Sequence, residues 1–123
     1  MKNKKLINSF KYAFKGIGSS LKSERNMKIH FTMMVLVIIA SIFLNISIWE
    51  WITCIILFGL VISLEMVNTA IEIVVDMVSP EYNLKAGHVK DIAAGAVLVN
   101  AIVAFIVGLL IFLPKIIGLF IKF

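Results

Sequence analysis

Two stretches of this chain carry no charged side chain over the full length of a membrane-spanning helix. The first covers residues 29–49 and the second covers residues 92–114. A helix needs about 20 apolar residues to cross the hydrocarbon core of a bilayer, and both stretches exceed that length. Both therefore predict transmembrane α-helices.

A further apolar run lies between these two stretches and is too short to cross a bilayer by itself. It covers residues 51–64, and a segment with polar residues at helical spacing, 65–76, follows without a turn signal. We therefore predict one long second helix over residues 48–78. The predicted first and third spans cover residues 29–45 and 92–114, with a polar loop over 79–91 in which Pro80 ends the second helix.

The composition agrees with a bilayer as the solvent of this chain. Hydrophobic residues make up 61% of the 123 residues and charged residues 15%, with a mean hydropathy of +1.04. Soluble domains have roughly 45–50% apolar and about 25% charged residues. A chain this short cannot bury so much apolar surface in one aqueous core. Most secreted, disordered and nucleic-acid-binding proteins are excluded, and the lone Cys54 indicates neither a disulfide nor a thiolate metal site.

The basic residues are concentrated at the start of the chain. Residues 1–28 hold eight basic residues and one acidic residue, a net charge of +7, whereas the remainder has a net charge of −2. This asymmetry is typical of the positive-inside rule, not of a nucleic-acid-binding protein, and it predicts a multi-pass protein of the cytoplasmic membrane. Residues 1–28 also repeat apolar residues at helical spacing, which predicts an amphipathic helix on the cytoplasmic membrane surface. The basic region is too long for a cleaved signal peptide, and no small-residue cleavage site follows.

Four polar residues of the second helix fall on one face. Glu65, Asn68, Glu72 and Asp76 are spaced so that, at about 100° per residue, they span a stripe roughly 80° wide. Each ionised group costs at least ~2.5–3.5 kcal/mol at the bilayer centre. A polar seam that joins helices usually needs only one Asn or Ser, and carboxylates four residues apart repel each other. The stripe therefore favours a functional site containing a hard divalent cation, Mg²⁺ or Ca²⁺.

A lysine and an aspartate stand where the third span begins. Lys90 can meet a phosphate as a point charge, and Asp91 follows it. Together with the carboxylate stripe, the pair suggests Mg-nucleotide chemistry at the membrane surface. No phosphate-binding glycine loop and no protein-kinase motif is present in the sequence. His30 and His88 have no partners at zinc-site spacing, and we interpret His30 as an interfacial residue.

Three stretches together resemble a known family of membrane enzymes. They are Glu24-Arg25-Asn26, the segment Leu64-Glu65-Met66-Val67-Asn68-Thr69-Ala70-Ile71-Glu72-Ile73-Val74-Val75-Asp76, and Lys90-Asp91-Ile92-Ala93-Ala94-Gly95-Ala96-Val97. The chain resembles the small prokaryotic diacylglycerol kinase and undecaprenol kinase family over about residues 10–115. It is most similar to the undecaprenol kinase branch.

This resemblance implies an all-α integral membrane protein with an N-terminal surface helix and three transmembrane helices, assembled as a homotrimer with shared active sites. It implies transfer of the γ-phosphoryl group of Mg-ATP to a lipid hydroxyl, with Glu65 as general base and Glu24 and Glu72 as Mg²⁺ ligands. Residues implied to support the site or contact the nucleotide are Tyr12, Asn68, Asp76, Glu81, Tyr82, Asn83, Lys90 and Asp91.

Two alternatives to an undecaprenol kinase stay open at this point. The same chemistry could act on diacylglycerol, because no residue spacing distinguishes a polyprenyl chain from two acyl chains. Intramembrane carboxylates also line ion and proton pathways, so a small oligomeric pore is the more distant alternative. Glu24 and Lys90 count against a pore, since both lie outside the predicted spans.

Overall fold

The structure is a computed structural model that describes residues 1–122 and consists of four helices. They are α1 (Lys2–Ser23), α2 (Arg25–Leu44), α3 (Ile48–Val78) and α4 (Leu84–Ile121). Residues 1–122 contain no β-strand, and α2, α3 and α4 are each long and apolar enough to cross a membrane. The predicted all-α architecture with three transmembrane helices is confirmed.

A tight turn joins α2 to α3, and one residue in the left-handed region makes it possible. Asn45 has φ 50° and ψ 57°, a conformation that asparagine tolerates better than most residues. The N–H of Ile46 donates to the carbonyl of Ser41 at 3.2 Å across this residue, which satisfies a carbonyl at the end of α2. Ile46 is buried, so the turn is also packed.

The start of α3 is fixed by a capping box and by an ion pair to α4. The Ser47 hydroxyl accepts from the N–H of Glu50, while the Glu50 carboxylate accepts from the N–H of Ser47. This reciprocal pair satisfies two donors that a helix start leaves free. The Glu50 Oε1 also lies 3.1 Å from Lys115 Nζ. The pair joins the first turn of α3 to α4 at the end of the bundle that contains the short turn.

The surface helix differs from its predicted extent of residues 1–28, because the chain breaks at Glu24. That residue has extended backbone angles and separates α1 from α2. Its N–H still donates to Ser20, and its carbonyl still accepts from Lys28, so the bend loses few backbone hydrogen bonds. Met27, just beyond the bend, is fully buried. Most apolar residues of α1, from Leu6 to Ile17, remain exposed in the single chain, as expected of a helix that rests on a lipid surface.

The polar loop is shorter than the predicted segment 79–91, because α4 begins at Leu84. The Asn83 side chain caps this start by accepting from the N–H groups of Lys85 and Ala86, at 2.9 and 3.4 Å. Residues 84–91 are therefore helical, and the connection is reduced to residues 79–83. At its other end α4 continues through Pro114 to Ile121.

The buried positions of the bundle are as often polar as apolar, whereas its outside is apolar. Half of the buried residues are polar or charged: Ser41, Glu65, Asn68 and Thr69. The outer faces of the helices expose large apolar side chains such as Ile39, Ile55 and Phe105. A bilayer solvates the apolar faces, so polar groups must find partners inside the bundle. α3 packs against both α2 and α4 and carries most of these interior groups.

Candidate active site

The polar stripe of α3 runs from a buried end to an exposed end. Glu65 is 2% exposed and Asn68 is 7% exposed, whereas Glu72 is half-buried and Asp76 is exposed. At ~1.5 Å per residue, the stretch from Glu65 to Asp76 covers about 16 Å of helix axis. One helix face thus connects the packed interior of the bundle with the polar connection at the end of α3.

The Glu65 carboxylate contacts one side chain of α2. Its Oε2 lies 3.3 Å from Nε2 of His30, which sits in the second turn of that helix. An ionised carboxylate can only accept hydrogen bonds, so we assign the proton in this contact to the imidazole Nε2. The backbone carbonyl of Glu65 accepts from the Thr69 hydroxyl at 3.0 Å. A buried carboxylate is costly without a partner, and His30 supplies that partner.

His30, interpreted from the sequence as an interfacial residue, also contacts the carboxylate stripe of α3 in the structure. A signal for the contact does exist in the sequence. A short turn joins α2 to α3, so the two helices run antiparallel and equal distances from the turn mean similar depths. At ~1.5 Å per residue, His30 lies about 21 Å before Leu44 at the end of α2, and Glu65 lies about 26 Å after Ile48 at the start of α3. The two residues therefore lie at depths that differ by only about 5 Å.

An amide and a carboxylate meet one turn further along α3. Asn68 Nδ2 donates to Glu72 Oε1 at 3.4 Å. The other end of the amide, Oδ1, is buried and has no hydrogen-bond partner among residues 1–122. Buried acceptors normally find a donor or a cation, so an unpartnered oxygen beside a carboxylate indicates a place for a ligand.

Glu24 and Glu72 come from different parts of the fold. Glu24 is half-buried at the bend between α1 and α2, and α1 contacts both α2 and α3. Across the described range 1–122, no three His, Cys, Asp or Glu side chains gather into a complete metal site. Within that range no hydrogen bond joins the Glu24 side chain to the stripe. Mg²⁺ usually takes one or two protein carboxylates and completes its octahedron with phosphate and water. Asn68 Oδ1 is an oxygen of the kind that Mg²⁺ accepts and has no partner in this range, although the Nδ2 end of the amide is the end that faces Glu72.

Asp76 and Lys90 pair across the short connection. Lys90 Nζ donates to Asp76 Oδ1, which joins the end of α3 to the second turn of α4. The lysine side chain remains 37% exposed and the aspartate side chain 64% exposed. The pair places a positive charge beside the exposed end of the stripe, where a phosphate group can approach it.

The other predicted nucleotide contacts are spread over the surface. Tyr12 lies on the exposed face of α1, Glu81 and Tyr82 lie in the connection, and Asp91 is exposed on α4. Their side chains make no hydrogen bond to the stripe within the part of the chain that the structure describes. Asn83 instead caps α4. Within residues 1–122, hydrogen bonds connect the stripe to Lys90 through Asp76 and do not extend to these other side chains.

An apolar cavity of about 450 Å³ lies between α2, α3 and α4. Its walls are apolar side chains and one glycine, apart from His30 and Cys54. His30 thus borders the cavity and contacts Glu65 at the same time. A lipid chain could occupy such walls while a polar group at the chain's end meets the imidazole and the carboxylate beyond it.

Comparison with known proteins gives consistent matches. The family model described as prokaryotic diacylglycerol kinase matches residues 11–112. Undecaprenol kinase of Bacillus subtilis is 41% identical over 111 residues, which are 90% of this chain and 90% of that protein. Diacylglycerol kinase of Synechocystis is 40% identical over 115 residues, 93% of this chain and 66% of that protein. Diacylglycerol kinase of Escherichia coli K12 is 29% identical over 102 residues, 83% of this chain and 84% of that protein.

Proposed function

The chain belongs to the prokaryotic diacylglycerol kinase family, a family of lipid kinases, and on that premise we propose that its acceptor is undecaprenol. The product would be undecaprenyl phosphate, with ATP as the phosphoryl donor. The observation that carries the proposal is the place of Glu65. It is a buried carboxylate next to a residue that lines an apolar cavity, on a helix face that continues to the partly exposed pair of Asp76 and Lys90.

The transfer step can be written from the residues of this chain. The lipid hydroxyl oxygen forms a bond to the γ-phosphorus while the bond from that phosphorus to the β,γ-bridging oxygen breaks, and ADP leaves. The hydroxyl proton passes to the Glu65 carboxylate, which acts as general base. A lipid alcohol is a weak nucleophile, so a carboxylate held within hydrogen-bond reach is the group that the step needs.

The donor side of the site is the exposed half of the stripe. We propose that Glu24 and Glu72 hold Mg²⁺, with the Asn68 amide beside them, and that the ion would neutralise charge on the phosphates. Lys90, held by Asp76, offers a positive charge to the same phosphates. Further nucleotide contacts are proposed for Tyr12, Glu81, Tyr82, Asn83 and Asp91.

We choose undecaprenol as the proposed acceptor from the similarity to known proteins, and that similarity supports a second acceptor almost as well. The Bacillus protein named undecaprenol kinase is 41% identical, and the Synechocystis protein named diacylglycerol kinase is 40% identical. The first is covered to 90% of its own length and the second to 66%. Diacylglycerol, giving phosphatidic acid, is therefore the second candidate acceptor.

We also propose a homotrimer in the cytoplasmic membrane with the active site on the cytoplasmic side. The net charge of +7 over residues 1–28 supports this orientation by the positive-inside rule. The side chains of Tyr12, Glu81, Tyr82 and Asp91 make no hydrogen bond to the stripe within residues 1–122. A neighbouring protomer could bring such residues to a shared site, which supports an assembly.

The test is a phosphoryl-transfer assay on the purified oligomer in mixed micelles. Undecaprenol and diacylglycerol are offered separately at equal mole fraction, with ATP labelled in its γ-phosphate. We expect label in the lipid phase, a higher kcat/KM for undecaprenol, and loss of transfer in Glu65→Gln. A higher kcat/KM for diacylglycerol would select the second acceptor, and no transfer to either alcohol would refute the lipid-kinase function.

A further inference from the structure

We propose that His30 is a positioning residue for the phosphoryl transfer and that it acts through Glu65. The imidazole holds the carboxylate in the orientation from which an oxygen can take the hydroxyl proton. This inference rests on the proposed role of Glu65 as general base. The polar stripe by itself places the site on α3 and on the helix ends next to it. His30 adds a residue of α2 to that site.

The first support is that His30 is the one side chain within hydrogen-bond distance of the Glu65 carboxylate among residues 1–122. The other stripe residues are committed elsewhere, since Asn68 binds Glu72 and Lys90 binds Asp76. Thr69 bonds to the backbone carbonyl of Glu65, not to its carboxylate. Without the imidazole, no hydrogen bond on the described chain would orient the Glu65 carboxylate.

The second support is the difference in burial between the two side chains. Glu65 is 2% exposed, whereas the His30 side chain is 22% exposed and borders the apolar cavity. The end of the cavity at His30 is therefore next to the carboxylate that His30 contacts, so a hydroxyl group at that end is close to Glu65. A carboxylate that swung away from His30 would be misplaced for that hydroxyl, and a misplacement of about 1 Å can reduce a rate by roughly 10²-fold.

The third support is the chemistry of the contact. The Glu65 carboxylate must be ionised to accept a proton. It is nevertheless buried inside the bundle, on a helix whose outer face is apolar. A hydrogen bond from the imidazole Nε2–H offsets part of the lost hydration of that charge. The separation of 3.3 Å is long for such a bond, and active-site hydrogen bonds often shorten only when the substrate is bound.

Two substitutions of His30 separate positioning from packing. His30→Phe keeps a ring of similar size but removes the donor, while His30→Gln keeps an N–H near the position of Nε2. We expect kcat to fall roughly 10–100-fold in His30→Phe, with the KM for ATP unchanged, because only alignment at the carboxylate is lost. His30→Gln should restore most of the lost turnover. The matched control is His88→Phe, since His88 is exposed on α4 and should tolerate the change.

A double-mutant cycle then asks whether His30 acts through Glu65. In the Glu65→Gln background there is no carboxylate to position, so adding His30→Phe should lower the residual turnover by less than about twofold. A residue that only packs the bundle would lower it by the same factor in both backgrounds. If His30→Phe lowers turnover by the same factor in the unmodified protein and in Glu65→Gln, the proposal is overturned.

The outcomes for the two residues can be told apart. Collapse of turnover in Glu65→Gln together with normal turnover in His30→Phe refutes the inference and leaves the proposed function intact. Normal turnover in Glu65→Gln refutes the base itself. If neither His30 variant assembles, the contact is measured in a His88→Gln protein by solid-state NMR, between ¹⁵N-labelled histidine and ¹³C-labelled glutamate. A resolved coupling from His30 Nε2 to the Glu65 carboxyl carbon supports the contact, and its absence overturns the proposal.

Discussion

Replacing Glu65 by glutamine removes a proton acceptor while changing the shape of the side chain very little. If general-base catalysis is the lost contribution, transfer should slow by about 10²–10⁴-fold. At about 1.36 kcal/mol per tenfold change in rate, this range raises the barrier by roughly 2.7–5.5 kcal/mol. Nucleotide affinity should stay unchanged, because Glu24, Glu72 and Lys90 are the proposed contacts for Mg-ATP.

The same substitution has a calculable effect on folding. An ionised carboxylate within the bilayer costs at least ~2.5 kcal/mol, and this cost disappears in Glu65→Gln. The hydrogen bond to His30 loses its charge assistance, which costs on the order of 1 kcal/mol. The amide oxygen can still accept from the imidazole, so the contact itself survives. The thermal stability of the assembled protein should therefore hold or rise slightly.

A second variant at the same position separates chemistry from geometry. Glu65→Asp keeps the carboxylate but withdraws it by one methylene, so it should retain more turnover than Glu65→Gln while losing up to roughly 10²-fold through misplacement. Glu50→Gln is the matched control, because Glu50 lies on the same helix at the opposite end and pairs with Lys115. Its assembled form should turn over like the unmodified protein.

The assay pairs equilibrium ATP binding with lipid-dependent phosphoryl transfer on the same purified oligomer. Near-normal turnover in Glu65→Gln would exclude Glu65 as the base and direct the search to Asp76 and Asp91. Loss of ATP binding along with turnover would instead show that Glu65 helps to build the nucleotide site. Either result would contradict the assignment of roles along the stripe.

Three further predictions concern the donor side and the orientation of the chain. Glu72→Gln should cripple turnover without preventing insertion or assembly, and a Mg²⁺ titration that matches the unmodified protein would remove its metal-ligand role. Lys90→Gln should raise the KM for ATP more than it lowers kcat; steady-state kinetics with a KM unchanged would count against a phosphate contact. On a Cys54→Ala background, Tyr82→Cys should react with membrane-impermeant thiol reagents only from the cytoplasmic side and Trp49→Cys only from outside, and the reverse pattern would invert the topology.

Much of the fold could be predicted because apolar length and helical period are local properties of a sequence. The stripe from Glu65 to Asp76 keeps the helical period, so the continuation of α3 beyond its apolar half is readable from spacing alone. The ends of the other helices depend on finer features. Glu24 bends the chain through its own backbone angles, and Asn83 starts α4 early by capping it. Neither changes the hydropathy pattern from which the segment bounds are predicted.

The candidate site also has a part that can be predicted from the sequence and a part that cannot. Residues on one helix face, such as Glu65 and Glu72, can be grouped from their spacing. Contacts between helices require the register of one helix against another, and here the turn at Asn45 sets that register for α2 and α3. Hydropathy alone therefore assigns His30 to the interface, although it lies at a depth similar to that of Glu65. Counting residues outward from the turn brings His30 and Glu65 to within about 5 Å of the same depth, but the faces that meet depend on how the two helices pack.

The ion pair between Glu50 and Lys115 lies at one end of the apolar bundle. If the hydrocarbon core begins there, its thickness decides how deep Glu65 lies in the membrane. At ~1.5 Å per residue, Glu65 lies about 22 Å along the helix axis from Glu50, and the whole of α3, with 31 residues, is about 46 Å long. A typical hydrocarbon core of ~30 Å that begins at Glu50 therefore ends roughly 8 Å beyond Glu65. Thicker membranes bury that carboxylate further from water and thinner ones raise it toward the surface, unless the helix tilts to compensate. If the helix does not tilt, we therefore expect membranes of different thickness to place the Glu65 carboxylate at different distances from the aqueous phase.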